Sequence, residues 1–301
     1  MRFRSSLFVV GTGVMALSAV ACSGAPGDTS AAAGSAVTAT RAPTYLALGD
    51  SIAFGDDGYI PFGDPSRVNS AQFVGYPFDV AKLHYGSASA VTDLGCPGET
   101  TASFFDATAP DNGCREYKGY GGGNGAWLHT PYGGTQMATA LAYLAVHEVD
   151  LVTITLGGND LLLAQKGCAT AASPTLCEAA AIPSVVSKGG ANVGKIVATL
   201  RGAGYFGKIV FLTQYATNYK DATQLAAIPL LNDAISAAVT VYGGRVASGF
   251  DTFASLSLTS VGDPCKAGLL IPNPDGTPTC DKHPSTAGAN DLASAVNALS
   301  Y

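Results

Sequence analysis

The feature that most limits the possible folds is the alternation of short apolar runs with longer stretches of helical periodicity. The apolar runs predict strands at residues 45–48, 90–94, 150–156, 208–213 and 245–247. The spacing of apolar residues predicts helices at about residues 70–84, 135–147, 187–200, 225–242 and 286–299. Strands that alternate with helices form a parallel sheet with helices on both faces, so the sequence predicts an α/β fold.

A serine follows the first predicted strand at a sharp turn. Gly49 has no Cβ and permits that turn, so Ser51 can project its hydroxyl at the edge of the sheet. Ligands of α/β sheets bind at the carboxyl ends of strands, and we therefore interpret Ser51 as a nucleophile. Right-handed crossovers place the ends of the first three strands on one edge, so we expect Gly98 and Asn159 close to Ser51.

A serine nucleophile needs a general base, and the base needs a group that fixes its tautomer. Of the four histidines, His283 is the candidate, because it lies in a predicted polar loop before the last helix with Asp281 nearby. The other three are His84, His129 and His147, at helix ends or in a glycine-rich loop. Histidines in such places are usually solvated surface residues, and this is the prediction for all three.

Four short blocks of sequence resemble the SGNH (GDSL) hydrolase family of esterases and lipases. In chain order they are Gly49-Asp50-Ser51, Gly98-Glu99-Thr100, Gly157-Gly158-Asn159-Asp160 and His283-Pro284-Ser285. The resemblance covers about residues 44–301 and implies a flavodoxin-like three-layer α/β/α sandwich with a central parallel sheet. The Gly-x-Ser-x-Gly elbow of α/β-hydrolases is absent around Ser51, which disfavours that other serine-hydrolase fold.

The resemblance also implies a role for each residue of the blocks. Ser51 would be the nucleophile, and His283 would act first as general base and then as general acid. The oxyanion hole would consist of the backbone N–H groups of Ser51 and Gly98 and the side chain of Asn159. Taken singly, the glycines of these blocks could equally be ordinary turn residues.

The chain departs from the family pattern at the acid. Members often carry an aspartate three residues before the histidine, whereas this chain has Cys280 there and Asp281 two residues before His283. A carboxylate two residues away in a loop reaches the imidazole with difficulty. We therefore expect Asp281 to orient His283 through either its side chain or its backbone carbonyl.

The first 22 residues are predicted to be an export signal of the lipoprotein type. Arg2 and Arg4 precede an apolar stretch at residues 7–20, and the segment ends in Ala19-Val20-Ala21-Cys22. This ending resembles a bacterial lipobox, in which Cys22 would be lipidated. The alternative is an ordinary cleaved signal peptide in which Cys22 is incidental. Residues 23–43 are rich in Ala, Gly, Ser, Thr and Pro and predict a flexible linker, so the folded domain is expected at residues 44–301.

The remaining cysteines indicate disulfides. The chain has seven cysteines, and without Cys22 an even number remains in an exported protein. They fall along the chain as three local couples, which predict Cys96–Cys114, Cys168–Cys177 and Cys265–Cys280. Such couples are also similar to a secreted actinobacterial lipase branch of the family. No two cysteines have the Cys-x2-Cys spacing of a metal site, so neither a metal nor another cofactor is expected.

Composition narrows the class of partner. Hydrophobic residues make up 47% of the chain and charged residues 13%, which excludes disorder for the body of the chain. The net charge of −6 argues against binding to nucleic acid. We expect a monomer that meets small-molecule or lipid esters and contacts a membrane only through a lipid on Cys22.

The sequence therefore predicts an exported serine hydrolase that cleaves carboxylic esters through a Ser51–His283 acyl-enzyme. One alternative is a polysaccharide or cell-wall deacetylase, or an acyltransferase, that uses the same residues. Another is an envelope lipoprotein without catalysis. An apolar wall beside Ser51 would favour lipids and burial of the same side chains elsewhere would favour glycans. The residues in question are Phe54, Tyr59, Ile60 and Phe62.

Overall fold

A five-stranded parallel sheet forms the centre of the described residues, which are 44–58, 69–119 and 125–301 of a computed structural model. Its strands are β1 (Tyr45–Gly49), β2 (Val91–Asp93), β3 (Leu151–Thr155), β4 (Lys208–Leu212) and β5 (Arg245–Ala247). They lie in the order β2-β1-β3-β4-β5, and every neighbouring pair is parallel. This is the flavodoxin-like strand order, so the predicted fold class is confirmed.

Helices connect the strands and cover both faces of the sheet. They are α1 (Ser51–Phe54), α2 (Tyr76–Tyr85), α3 (Cys114–Gly119), α4 (Gln136–Leu144), α5 (Gly158–Cys168), α6 (Pro174–Gly202), α7 (Ala222–Val241), α8 (Gly249–Leu256) and α9 (Thr286–Asn297). A separate antiparallel hairpin consists of β6 (Leu270–Pro272) and β7 (Cys280–Pro284).

The core has two halves because successive residues of a strand point to opposite faces of the sheet. Leu46 and Leu48 of β1 belong to a cluster with buried residues of α4, α6 and α7. Tyr45 and Ala47 of the same strand belong to a second cluster with residues of α2, α8 and α9. All four side chains are fully buried. The strands are therefore covered on both sides, as expected of a parallel sheet in a three-layer sandwich.

Some predicted boundaries are wrong. The helix predicted at 70–84 begins only at Tyr76, with Pro77 in its first turn. The residues before it form a short 3-10 turn at Ser70–Gln72, which Asn69 caps. The helix predicted at 187–200 is the 29-residue α6, which passes through Pro183. The loop predicted at 281–285 is largely the strand β7.

The three predicted disulfides, Cys96–Cys114, Cys168–Cys177 and Cys265–Cys280, are formed in the structure. Several other predictions fall on residues outside the described part. They are the export signal with Cys22, the linker at 23–43, and the aromatic or apolar residues Tyr59, Ile60 and Phe62.

One long apolar helix belongs to the sandwich. By length and composition alone α7 could span a membrane, with a mean hydropathy of 1.3. Its residues Leu231, Ile235 and Val239 are nevertheless fully buried in the core of the domain, against α6 and β5. One face of α7 therefore packs in the core of the domain.

Phe54 and His129 pack together behind the first turn of α1. Phe54 is fully buried and stacks on Phe73 with ring centroids 5.2 Å apart. His129 lies against Phe54 and Phe78, and its Nε2 is 3.0 Å from the carbonyl oxygen of Phe54. The prediction that His129 is a solvated surface residue is therefore wrong, because the ring is largely buried against Phe54 and Phe78, and burial lowers its pKa.

Asp93, at the end of β2, gives a prediction for stability. Its Oδ1 accepts the N–H of Gly95 at 2.7 Å, and burial raises its pKa from 3.8 to about 8. Between these values the folded protein holds a proton that the unfolded chain has lost, so stability falls as pH rises. We expect Asp93→Asn to gain stability relative to the wild type between pH 5 and pH 8, by about 1.4 kcal/mol per pH unit at most.

Urea unfolding of the two proteins across this pH range measures the effect. The matched control is Asp233→Asn, which removes an exposed carboxylate from α7. Parallel stability curves for wild type and Asp93→Asn would contradict the prediction.

Candidate active site

Ser51 begins α1 at the carboxyl edge of the sheet. The preceding Gly49 has φ +143°, and a Cβ on it would overlap the carbonyl oxygen of Thr155 in β3, so the sharp turn requires glycine. Asp50 caps α1, because its Oδ1 accepts the N–H of Ile52 at 3.0 Å, and its own N–H donates to Thr155. Burial raises the pKa of Asp50 to about 7. The turn thus fixes Ser51 directly after β1, next to the end of β3.

Gln136 of α4 holds the same turn from behind. Its Nε2 donates to the carbonyl oxygen of Gly49 at 2.9 Å, and the N–H of Gly49 donates to its Oε1 at 2.6 Å. The Nε2 also lies 3.3 Å from an oxygen of Glu99. Gln136 is fully buried, and its amide binds both backbone polar groups of Gly49, whose carbonyl oxygen also accepts the N–H of Cys96 at 3.0 Å. Sequence analysis missed it, although a polar side chain on the apolar side of a helix was a possible signal.

The side chains of Asp281 and His283 bind each other on β7. Asp281 Oδ1 accepts hydrogen bonds from both the backbone N–H of His283, at 2.9 Å, and its ring Nδ1. Residues two apart in a strand point to the same face, which explains why the carboxylate reaches the imidazole. Burial opposes ionisation of Asp281, but its hydrogen bonds and ion pair with His283 outweigh this and lower its pKa to about 2.

The loop after α1 covers this pair. The N–H of Asp56 donates to the carbonyl oxygen of Ser51 at 3.0 Å, and its Oδ2 lies 3.9 Å from Nε2 of His283. Burial raises the pKa of Asp56, and the neighbouring His283 partly offsets the increase. Gly58 passes so close to Asp281 that a Cβ there would lie 2.5 Å from the carboxyl carbon. Two carboxylates therefore flank the imidazole, and sequence analysis identified only Asp281.

Gly98 and Asn159 both contact the same residue, Asn112. Gly98 has φ +85°, and a Cβ on it would lie 2.5 Å from the backbone of Asn112. Asn159, the second residue of α5, donates from Nδ2 to the carbonyl oxygen of Glu99 at 3.1 Å. Its Oδ1 accepts Nδ2 of Asn112 at 3.1 Å. The second and third sequence blocks are thus in contact, and sequence analysis missed the asparagine that joins them.

Asp160 provides a further link between these blocks. Its carboxylate accepts the N–H of Thr101 at 3.0 Å and the hydroxyl of the same residue at 2.6 Å. Asn192 of α6 donates to that hydroxyl at 3.0 Å. The start of α5 is therefore anchored to the loop after β2.

Ser51, Asn159 and His283 line one cavity of about 230 Å³ at the carboxyl edge of the sheet. Its apolar wall comes from α5, α6 and α7, through Leu161, Leu162, Ile182, Ala227 and Ile228. Polar side chains also line it, among them Gln165, Glu178, Gln224 and Lys282. Of the two alternatives for Phe54, a wall beside Ser51 or burial elsewhere, the structure shows the second, because Phe54 is fully buried in the core. The apolar surface comes from helices that the sequence did not assign to the site.

A flavodoxin-like sandwich that gathers these four blocks at one edge defines the class: the chain has the SGNH/GDSL hydrolase fold. No protein-family model matches the sequence, and no curated protein matches it.

Solved structures are similar at low sequence identity. Phospholipase A1 from Streptomyces albidoflavus is 16% identical, with a TM-score of 0.54, over 86% of this chain and 100% of that chain. An extracellular lipase from Streptomyces rimosus is 17% identical, with a TM-score of 0.51, over 86% and 100% of the two chains. A protein from Parabacteroides merdae described as a GDSL-like lipase is 14% identical, with a TM-score of 0.52, over 86% and 96%. At these identities the likeness concerns the fold.

Proposed function

We propose that this protein is an exported serine hydrolase that cleaves carboxylic esters through an acyl-enzyme on Ser51. The observation that carries the proposal is the cavity at the carboxyl edge, which joins Ser51, Asn159 and a histidine whose Nδ1 is held by a carboxylate. The carboxylate at Nδ1 leaves Nε2 as the nitrogen that takes the proton of the nucleophile. With a pKa of about 2, Asp281 is ionised wherever His283 can act as a base.

The reaction would take two steps. Ser51 Oγ attacks the ester carbonyl carbon while its proton passes to Nε2 of His283, and the oxyanion accepts hydrogen bonds from Ser51 N–H, Gly98 N–H and Asn159 Nδ2. The tetrahedral intermediate expels the alcohol, which takes the proton from His283. Water then attacks the acyl-enzyme with His283 as base, and the carboxylic acid leaves as Ser51 regains its proton.

The apolar wall of the cavity supports an acyl group of several carbons as the part of the substrate bound there, because burial of each CH₂ contributes about 0.8 kcal/mol. The second candidate is deacetylation of a glycan or acyl transfer to one. The polar residues Gln165, Glu178 and Gln224 in the same cavity favour it, because they could hydrogen-bond sugar hydroxyls.

The three disulfides and the predicted signal support export to an oxidising compartment. We place the protein outside the cytoplasmic membrane, with Cys22 as a candidate lipid anchor.

Two measurements on the purified protein test the proposal. A fluorophosphonate should label Ser51, as located by mass spectrometry of the peptide, because the probe needs an activated serine. Hydrolysis of p-nitrophenyl esters should rise from acetyl to medium acyl chains, as the added methylenes fill the apolar cavity. The urea-denatured protein is the control and should not be labelled.

The other outcomes separate the alternatives. Activity on acetyl esters and acetylated oligosaccharides only would favour the glycan deacetylase. If Ser51 is not labelled and no ester is hydrolysed, the result contradicts catalysis and favours a binding lipoprotein.

A further inference from the structure

Asn112 contacts both proposed oxyanion donors through separate groups. Its backbone N–H donates to the carbonyl oxygen of Gly98 at 2.8 Å, and its side-chain Nδ2 donates to Oδ1 of Asn159 at 3.1 Å. Gly98 lies in the loop after β2 and Asn159 in the first turn of α5, 61 residues further along the chain. Asn112 belongs to neither of the blocks that resemble the family, yet it forms a hydrogen bond with both donor residues.

The hydrogen bonds fix which way the Asn159 amide faces. The carbonyl oxygen of Glu99 can only accept, so the atom of Asn159 that faces it at 3.1 Å has to be Nδ2. Oδ1 consequently faces Asn112, which must donate through Nδ2. One hydrogen of Asn159 Nδ2 is directed to Glu99, and the second is the hydrogen that the oxyanion would accept. A reversed amide would present Oδ1, an acceptor, to the developing negative charge.

The position of Asn112 is itself fixed on both sides. The disulfide Cys96–Cys114 joins the residue two before Gly98 to the residue two after Asn112. On either side of Asn112, Asp111 Oδ1 accepts the N–H of Gly113 at 2.8 Å, which stabilises the turn that contains Asn112. Since a Cβ on Gly98 would lie 2.5 Å from the Asn112 backbone, the two segments are in direct contact. Asn112 is thus a fixed donor on a short, covalently closed segment.

We propose that Asn112 is a positioning residue, which holds the Asn159 amide in its donating orientation for transition-state stabilisation. The inference rests on the proposed function, since it assigns Asn112 a role only if an oxyanion forms beside Ser51. Its side chain acts through Asn159 and does not itself contact the substrate. The interaction should therefore matter in the transition state more than in substrate binding.

Two substitutions at this position test the inference by kinetics on a p-nitrophenyl ester. Asn112→Ala removes the donor, and we expect kcat to fall about 10-fold with KM within about twofold of the wild type. Asn112→Asp keeps the shape but places an acceptor against Oδ1 of Asn159. We expect repulsion between the two oxygens to displace the Asn159 amide from its donating position and to lower kcat about 100-fold. A residue that only shaped the loop would tolerate the isosteric Asp better than Ala.

A double-mutant cycle isolates the partner. In an Asn159→Ala background, Asn112→Ala should change kcat by less than about twofold, because the amide that it positions is gone. Asn218→Ala and Asn218→Asp, in an exposed turn, are the matched controls and should keep wild-type kcat. Thermal melting checks folding. If Asn112→Ala melts early, Asn112→Asp is measured in its place, both alone and in the Asn159→Ala background.

Kinetic effects that multiply in the cycle, or an Asp variant as active as the wild type, would overturn the inference. Its failure is distinct from failure of the proposed function. In the first case the wild type is labelled by a fluorophosphonate at Ser51 and hydrolyses esters, while the Asn112 variants match it. In the second case the wild type is not labelled at Ser51 and hydrolyses no ester.

Discussion

Replacement of Ser51 by Ala is expected to lower kcat for ester hydrolysis by about 10⁶-fold, the loss typical of an enzyme that loses an activated serine nucleophile. The turn around Gly49 and Gln136 does not involve the Ser51 side chain, so the fold should persist. Without Oγ no acyl-enzyme can form, and only the oxyanion donors and the binding cavity remain. The loss should therefore appear in kcat, with KM changed little.

The measurement is the initial rate of p-nitrophenyl ester hydrolysis over a range of substrate concentration, with fluorophosphonate labelling alongside. Ser255→Ala, on the exposed side of α8, is the matched control and should retain wild-type rates. Retention of more than about 1% of the activity by Ser51→Ala would show that another group is the nucleophile.

Asn159→Ala should lower kcat by about 10² to 10³-fold, because it removes one donor from the oxyanion hole. That loss corresponds to about 2.7–4 kcal/mol of transition-state stabilisation. The Asn159 side chain lies in the cavity beside Ser51, and it contacts Glu99 and Asn112. The ground-state ester carries little charge on its carbonyl oxygen, so KM should change by no more than a few fold.

Steady-state kinetics at constant pH measures kcat and KM separately. Asn192→Ala, which removes an asparagine hydrogen bond to Thr101 one step further from the cavity, is a matched comparison and should cost far less. A defect confined to KM would mean that Asn159 binds substrate and is no part of an oxyanion hole. A loss smaller than about fivefold would point to other donors.

The sheet could be predicted from sequence because its signal is local. Each of the strands β1, β3 and β4 is a short run of apolar or β-branched residues, and burial on both faces requires such a run. The hairpin gave no such signal, since β7 reads Cys-Asp-Lys-His-Pro and has few residues that favour strands. Its strand form depends on pairing with β6, and the same form brings Asp281 and His283 to one face.

The supporting residues of the site could not be predicted for a different reason. Gln136 lies 87 residues from Gly49, and Asn112 lies 47 residues from Asn159. Such contacts arise only once the sheet has brought separate loops to one edge. Asp56 is close to Ser51 in the chain, but its approach to His283 depends on the position of the hairpin. Local patterns identify the residues of the four blocks and leave out the residues that hold them.

The predicted nucleophile and its predicted base have different supports. Ser51 is attached to the central sheet, whose strands are buried on both faces, whereas His283 lies on a two-stranded hairpin. The Cys265–Cys280 bridge ties the start of β7 to the segment before β6 over a separation of 15 residues. A crosslink over a loop of this size stabilises the fold by about 3 kcal/mol, because it constrains the unfolded chain. Elements with few partners open locally before the whole domain unfolds. Ser51 therefore keeps its position as long as the sheet stays folded, whereas the position of His283 depends on the Cys265–Cys280 disulfide.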